Sequence, residues 1–341
     1  MFFACLEFSG AKVWQQINAF QDPELVRLAA ALPDTLLKAR ADSTTKKYIG
    51  AYKRWAKQAS TKRELSVQPV EAAQFVLYLQ HLGESTNSRA AVTEAVNAVS
   101  WVQRLAGEEE ISGNTLVKYV VEGFQHKLAQ PKRRKEPITV VMLQQLVESM
   151  GVSPTLTEVR LAAICLLAFA AFVRFNEISK LKCADIRISE EKMEVMIRSS
   201  KTDQYRQGDI IPIARSGLPT CPVRMMESYF SLGRIEPTSQ QFLFRPIIST
   251  KNGESLRREG SLSYSRLREI VLAKIGDMGY DASRFGLHSF RAGGATAAAN
   301  NPELPDRLFK RHGRWRSETA KDGYVKDDEE RRLSVSRKIG L

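Results

Sequence analysis

The chain has 341 residues, about twice a usual domain, and is 43% hydrophobic, which excludes a mostly disordered or collagen-like protein and leads us to expect two cores. Its longest apolar run, Leu161 to Val173, is closed by Arg174 short of the roughly 18 to 20 residues that span a bilayer, so no membrane partner is expected. Lysine and arginine number 51 against 38 acids, a formal charge of +13 that favours a polyanionic partner, nucleic acid first.

The opening residues meet an acid at Glu7 before an apolar stretch can build, so no secretory signal is expected and the protein is placed inside a cell. Cys5, Cys165, Cys183 and Cys221 stand far apart with no Cys/His spacing, which argues against disulfides and against a metal site. Residues 1–23 have no clear cap or periodicity beyond Ala11 to Phe20 and read as an extension. From Ser43 a helix follows in which Tyr48, Ile49, Tyr52, Trp55 and Ala56 share a face and Lys46, Lys47, Lys53 and Arg54 lie around the others. Further helices fit Val70 to Leu82, Ser88 to Ala106 with Gly107 as its stop, and Thr115 to Leu128 after Asn114 as cap. The stretch 24–130 is therefore an all-helical domain whose basic surface, Arg89 included, would face DNA.

Residues 131–137, a proline at each end around Lys132, Arg133, Arg134, Lys135 and Glu136, break that pattern and form the linker. The four bases read as a phosphate-contacting strap or as a solvated charge run, and a nuclear import signal fits either. Residues 138–341 form the second domain. Ile138 to Met150 and Thr155 to Phe172 read as helices, the second apolar on nearly all sides and central to the core. Met193 to Arg198 and Asp209 to Ile213 flank a polar turn-forming stretch and read as a β-hairpin with Lys201 near its tip. Helices resume at Val223 to Leu232, Ser261 to Met278, His288 to Ala299, Asp306 to Arg311 and Ser317 to Val325. The fold class is thus an all-α domain followed by an α+β domain, mostly helical with one small antiparallel sheet.

Several residues of the second domain suit anion chemistry. His288 and Arg291 share one face at the start of a helix, whose N-terminus also favours an anion. Arg174 follows a run that should be buried, so it faces a cleft or a carboxylate, with Glu177 three residues on as the partner. Lys201 is either a solvated turn lysine or part of the same site. Gly313-Arg314-Trp315 and Tyr324 read singly as core and filler.

Taken in order, Arg174, Lys201 on a hairpin, His288-x-x-Arg291, Trp315 after Gly313-Arg314, and Tyr324 resemble the tyrosine recombinase, or phage integrase, family. The resemblance spans about residues 30–330, and Gly-Arg-Trp-Arg-Ser with His-Ser-Phe-Arg-Ala-Gly-Gly-Ala-Thr looks most like members carried by eukaryotic mobile elements and some phages. It implies a helical core-binding domain joined to a catalytic domain of the DNA breaking-rejoining fold. It also implies a site-specific recombinase that needs neither cofactor nor metal, binds duplex DNA and no small-molecule substrate, and works as a homotetramer on two DNA sites through a Holliday junction. Tyr324 would be the nucleophile and Arg174, Arg291, His288 and Trp315 the phosphate's donors. Lys201 would be the general acid for the leaving 5′ oxygen and His288 the acceptor of the tyrosine proton, a division of proton roles that only the resemblance supplies. Trp315 stands where histidine is more frequent and keeps one donor, the indole N–H. The alternatives are a type IB topoisomerase-like enzyme, which shares this chemistry, and a domesticated DNA-binding protein that no longer cleaves. Such a protein is expected with DNA, in the nucleus if the source is eukaryotic and otherwise in the cytoplasm or nucleoid.

Overall fold

The computed structural model describes residues 12–131, 134–198, 208–251 and 253–339. The chain divides into two units, Met1–Lys132 and Arg133–Leu341. Among the described residues no helix is long and apolar enough to cross a membrane.

In the first unit, α1 (Lys12–Asn18), α2 (Pro23–Lys38), α3 (Asp42–Ser60), α4 (Ala72–Thr86), α5 (Arg89–Ala106) and α6 (Thr115–Lys127) surround one core of Trp55, Phe75, Leu79, Val99 and Val102. The expectation of an extension over 1–23 misses α1, and α2 is not among the helices expected in 24–130. Trp14 is buried in this core and donates its indole N–H to the Leu105 carbonyl at 2.8 Å. Val13, Trp14 and Ile17 are the apolar residues of this seven-residue helix, and without a clear cap ahead of them the periodicity over Ala11 to Phe20 does not fix a helix in the sequence. The start of α2 was legible: Asp22 accepts from the Glu24 and Leu25 amides and Pro23 occupies the first turn.

In the second unit, α7 (Val140–Glu148) leads to α8 (Leu156–Ala170), whose Thr155 cap and Glu158 bond reciprocally. Burial of α8 from Val159 to Ala168 bears out its central place. The helix stops because Phe172 turns left-handed, at φ 48°, and Arg174 in extended backbone then opens the one-turn α9 (Phe175–Ile178). The expected hairpin is present as β2 (Lys192–Ile197) and β3 (Asp209–Ala214), paired with Val195 opposite Ile211, its inner face Met193, Val195, Ile197, Ile211 and Ile213. A short β1 (Ile186–Ile188) adds a third strand beside β2, which leaves Pro212 on an edge strand where its missing N–H costs nothing. A second ribbon, absent from the expectation of one sheet, pairs β4 (Ile247–Thr250) with β5 (Gly253–Leu256). Strands of three and four residues hold too few alternations to be read from sequence.

The remaining helices are α10 (Pro222–Leu232), α11 (Tyr264–Asp277), α12 (His288–Ala299), α13 (Asp306–His312), α14 (Glu318–Asp322) and α15 (Glu329–Lys338). α12 lies against the end of α8, and its glycines permit that approach. A Cβ on Gly294 would sit 2.1 Å from the Phe169 carbonyl oxygen, and one on Gly293 2.1 Å from that of Ile138. The small-residue stretch after Arg291 therefore sets the depth at which Arg291 enters the unit.

Candidate active site

Glu177 is the centre of the site. Its side chain is 3% exposed and accepts from the Arg174 guanidinium at 2.9 Å, the Arg174 amide at 2.9 Å and Arg314 Nη2 at 2.9 Å. Burial pushes its carboxyl up, but the Arg314 charge, the Arg174 N–H and the charges of Arg174 and Arg291 outweigh this and hold it below the usual carboxylate range. The expected Arg174–Glu177 pair is present, and the structure adds Arg314, which sequence reading quoted only as part of a motif.

Arg291, 1% exposed, enters from the first turn of α12. Its Nη1 donates to the Phe172 carbonyl and its Nη2 to the Gly313 carbonyl at 2.8 Å. Trp315 and Tyr324 each place a ring centroid 4.9 Å from its guanidinium carbon, cation–π distance for both. Burial first, and then the nearby charge of Arg174, lower its pKa to about 10, so it remains a cation at neutral pH. His288 opens the same helix and is exposed.

Tyr324 is half-buried and its ring centroid lies 5.8 Å from that of Trp315. Trp315 is buried against Phe172 and Phe309, and Gly313 makes room for it, since a Cβ there would fall 1.8 Å from the indole. The tyrosine's backbone is held on both sides: its carbonyl accepts from Thr296 of α12 at 3.4 Å, and its amide donates to Lys321 at 3.0 Å. Lys321, buried, bonds Glu318 at 2.7 Å and also Asp306, tying α14 to α13 just ahead of Tyr324. Arg174, Arg291, Trp315 and Tyr324 are thus brought together within one unit of one chain. Lys201 lies outside the described residues, although the strands that lead to it are β2 and β3.

Of the residues expected at DNA, Lys46, Lys47, Lys53, Arg54 and Arg89 are all exposed on the first unit. Lys47 and Arg89 line a groove with Thr44, Tyr48, Thr93 and Asn97. Glu94 on the same groove pairs with Lys47 at 2.8 Å and Arg54 at 3.1 Å, so two of the cations are partly neutralised. In the linker, Lys132 and Arg133 lie outside the described residues, and Arg134 and Lys135 are exposed. Lys135 donates to the Ser283 carbonyl, while the Glu136 amide bonds Arg284 at 2.8 Å and the Ile138 amide bonds Ser289 at 3.0 Å. This end of the linker is therefore fastened beside the start of α12.

Removing the central carboxylate tests the geometry. Glu177→Gln leaves Arg174 and Arg314 without their buried anion and is expected to lower stability by about 3 to 5 kcal/mol in urea titration. Because the folded pKa is depressed, this contribution is present above the unfolded value of about 4.3 and is lost only as pH falls through the lower folded value. The gap between wild type and variant should accordingly persist at pH 5 and close under stronger acid.

No protein-family model matches the chain. It is 24% identical over 306 residues, 88% of this chain and 86% of the relative, to an integrase/recombinase XerD homolog of Selenomonas ruminantium. Among solved structures, the XerH site-specific recombinase bound to a palindromic difH substrate in a post-cleavage complex superposes with a TM-score of 0.62 at 13% identity, covering 99% of this chain and 88% of that one. The Tn1549 transposon integrase in complex with transposon right-end DNA gives 0.57 at 11% identity, over 89% and 98% of the two chains. A lambda integrase tetramer bound to a Holliday junction gives 0.55 at 13%, over 92% and 85%. The mostly helical fold with its small antiparallel sheet is the one these recombinases share, as the ordered motifs led us to expect.

Proposed function

We infer that the chain is a tyrosine recombinase, and from that premise its reaction follows: Tyr324 cuts one DNA strand and holds its 3′ end until a second strand replaces it. The observation that carries this reading is the Tyr324 ring centroid 4.9 Å from the buried Arg291 guanidinium carbon in the same chain, which supports Tyr324 as a nucleophile beside a phosphate-binding cation. The Tyr324 hydroxyl oxygen attacks the phosphorus, the bond to the 5′ oxygen breaks, and the products are a 3′-phosphotyrosyl link and a free 5′-hydroxyl. His288 accepts the tyrosine proton and Lys201 protonates the leaving oxygen. The link conserves the energy of the phosphodiester, so rejoining is the same step reversed and needs no ATP.

Charge builds on the non-bridging oxygens in the pentacoordinate state, and fixed guanidiniums stabilise it where it develops. Arg174 and Arg291 serve here because a planar fork matches two phosphate oxygens. The basic surface of α3 and α5 and the strap at Lys132, Arg133, Arg134 and Lys135 hold duplex DNA by its phosphates. Four copies on two sites exchange strands through a Holliday junction, a reading supported by the lambda integrase tetramer bound to a Holliday junction.

The test is covalent capture. A nicked suicide duplex, whose short 5′-hydroxyl fragment diffuses away, should trap the protein as a denaturant-resistant adduct in excess EDTA as well as in magnesium. A strict requirement for added divalent metal would refute the guanidinium mechanism.

A further inference from the structure

We propose that Arg314 is a third arginine for the scissile phosphate, an assignment that rests on the recombinase reading of this site. Arg314 follows the last residues of α13 with φ at 57°, the left-handed conformation in which helices usually place glycine or asparagine. The chain keeps a long charged side chain at a backbone position that disfavours one, and an outlier of this kind points toward function.

Where that side chain goes supplies the reason. It is 9% exposed, and only Nη2 is occupied, by Glu177 at 2.9 Å. Its Nε and Nη1 are buried without a hydrogen-bond partner among the described residues, and so are Arg291 Nε and Trp315 Nε1. A buried guanidinium with two idle nitrogens is costly unless an acceptor meets it. Glu177 gives its other oxygen to Arg174, so Arg174 and Arg314 share one carboxylate, and Arg291 binds main-chain carbonyls. Three guanidiniums against one carboxylate leave an excess of two positive charges at the site. An anion with several acceptor oxygens fits both the charge and the idle donors, and the phosphodiester that Tyr324 attacks is such an anion.

The same turn ties Arg314 to the reaction. The Gly313 carbonyl before it receives Arg291, and the Trp315 ring after it covers Arg291. A substrate that engages Arg291 therefore lies beside the one short turn from which Arg314 projects.

Arg314→Asn and Arg314→Gly both suit left-handed backbone, so each removes the guanidinium without forcing the turn. The measurement is single-turnover adduct formation on suicide duplexes built on the protein's own site, together with DNA affinity and the thermal midpoint. Both variants are expected to fold, to bind DNA within about threefold of wild type, and to form adduct about 100-fold more slowly, the usual loss for one preorganised donor. On a duplex whose scissile phosphate carries a methyl group in place of one non-bridging oxygen, the charge that Arg314 offsets is gone. There the deficit should shrink to less than about tenfold. An unchanged rate on the ordinary phosphate overturns the proposal. So does an equal loss on both substrates, which would make Arg314 a clamp for Glu177 alone. Failure of wild type to form any adduct would instead sink the recombinase reading beneath it.

Discussion

Replacing Tyr324 by phenylalanine is expected to reduce covalent DNA capture to background while folding and DNA affinity stay near wild type. What holds Tyr324 in place is its ring against Trp315 and Arg291, and its backbone between Thr296 and Lys321. Phenylalanine keeps all of these and removes one oxygen. Gel separation after denaturation reads the adduct, and a filter or mobility assay reads binding. An adduct formed equally by the variant would move the nucleophile elsewhere. Of the next tyrosines, Tyr264 packs against Phe175 and Tyr280 donates to Gln145 at 2.7 Å, contacts that give each a structural role. Tyr205 lies outside the described residues.

The second large effect separates charge from geometry. Arg174→Lys keeps a cation that can still reach Glu177, but loses the planar fork. Cleavage should fall by about 10² to 10³ and DNA affinity by only a few-fold, since one cation among the many of a basic surface carries little of the binding. Equal losses of cleavage and binding would reduce Arg174 to the partner of Glu177. The contrast with Glu177→Gln is informative, because that change should register first as lost stability.

Of the residues proposed for the chemistry, Arg174, His288 and Arg291 were legible from a local conflict or a sharp pattern, whereas Trp315 and Tyr324 read singly as core and filler and gained meaning only from their order in the chain. An arginine closing a long apolar run, as Arg174 does, has to find a partner, and Glu177 stands at helical spacing to be it. The helix beginning at His288 and ending at Ala299 was read to its observed ends, and the hairpin of β2 and β3 declared itself by alternation on both sides of a polar turn. Arg314 gave no such signal. In sequence it is one more base in a basic segment, and only the left-handed turn, with Gly313 yielding space to Trp315, carries its side chain to Glu177. Nor could spacing show that Arg291 would be sealed beneath the rings of Trp315 and Tyr324, since residues 33 positions apart meet only through the packing of α12, α13 and α14. Helix α2 was missed for a different reason: its cap signal is strong, but Leu25, Val26 and Leu28 are exposed, which blurs the apolar stripe that marks a core-facing helix.

The central claim is that Tyr324 becomes bonded to DNA, and mass spectrometry of the trapped wild-type adduct tests it most directly. Trypsin cuts after Lys321 and Lys326, so the linked peptide should be residues 322–326, Asp-Gly-Tyr-Val-Lys, with Tyr324 joined to the 3′ phosphate of the cut strand. A different linked residue, a 5′ linkage, or no adduct on a duplex the protein binds tightly would contradict the account.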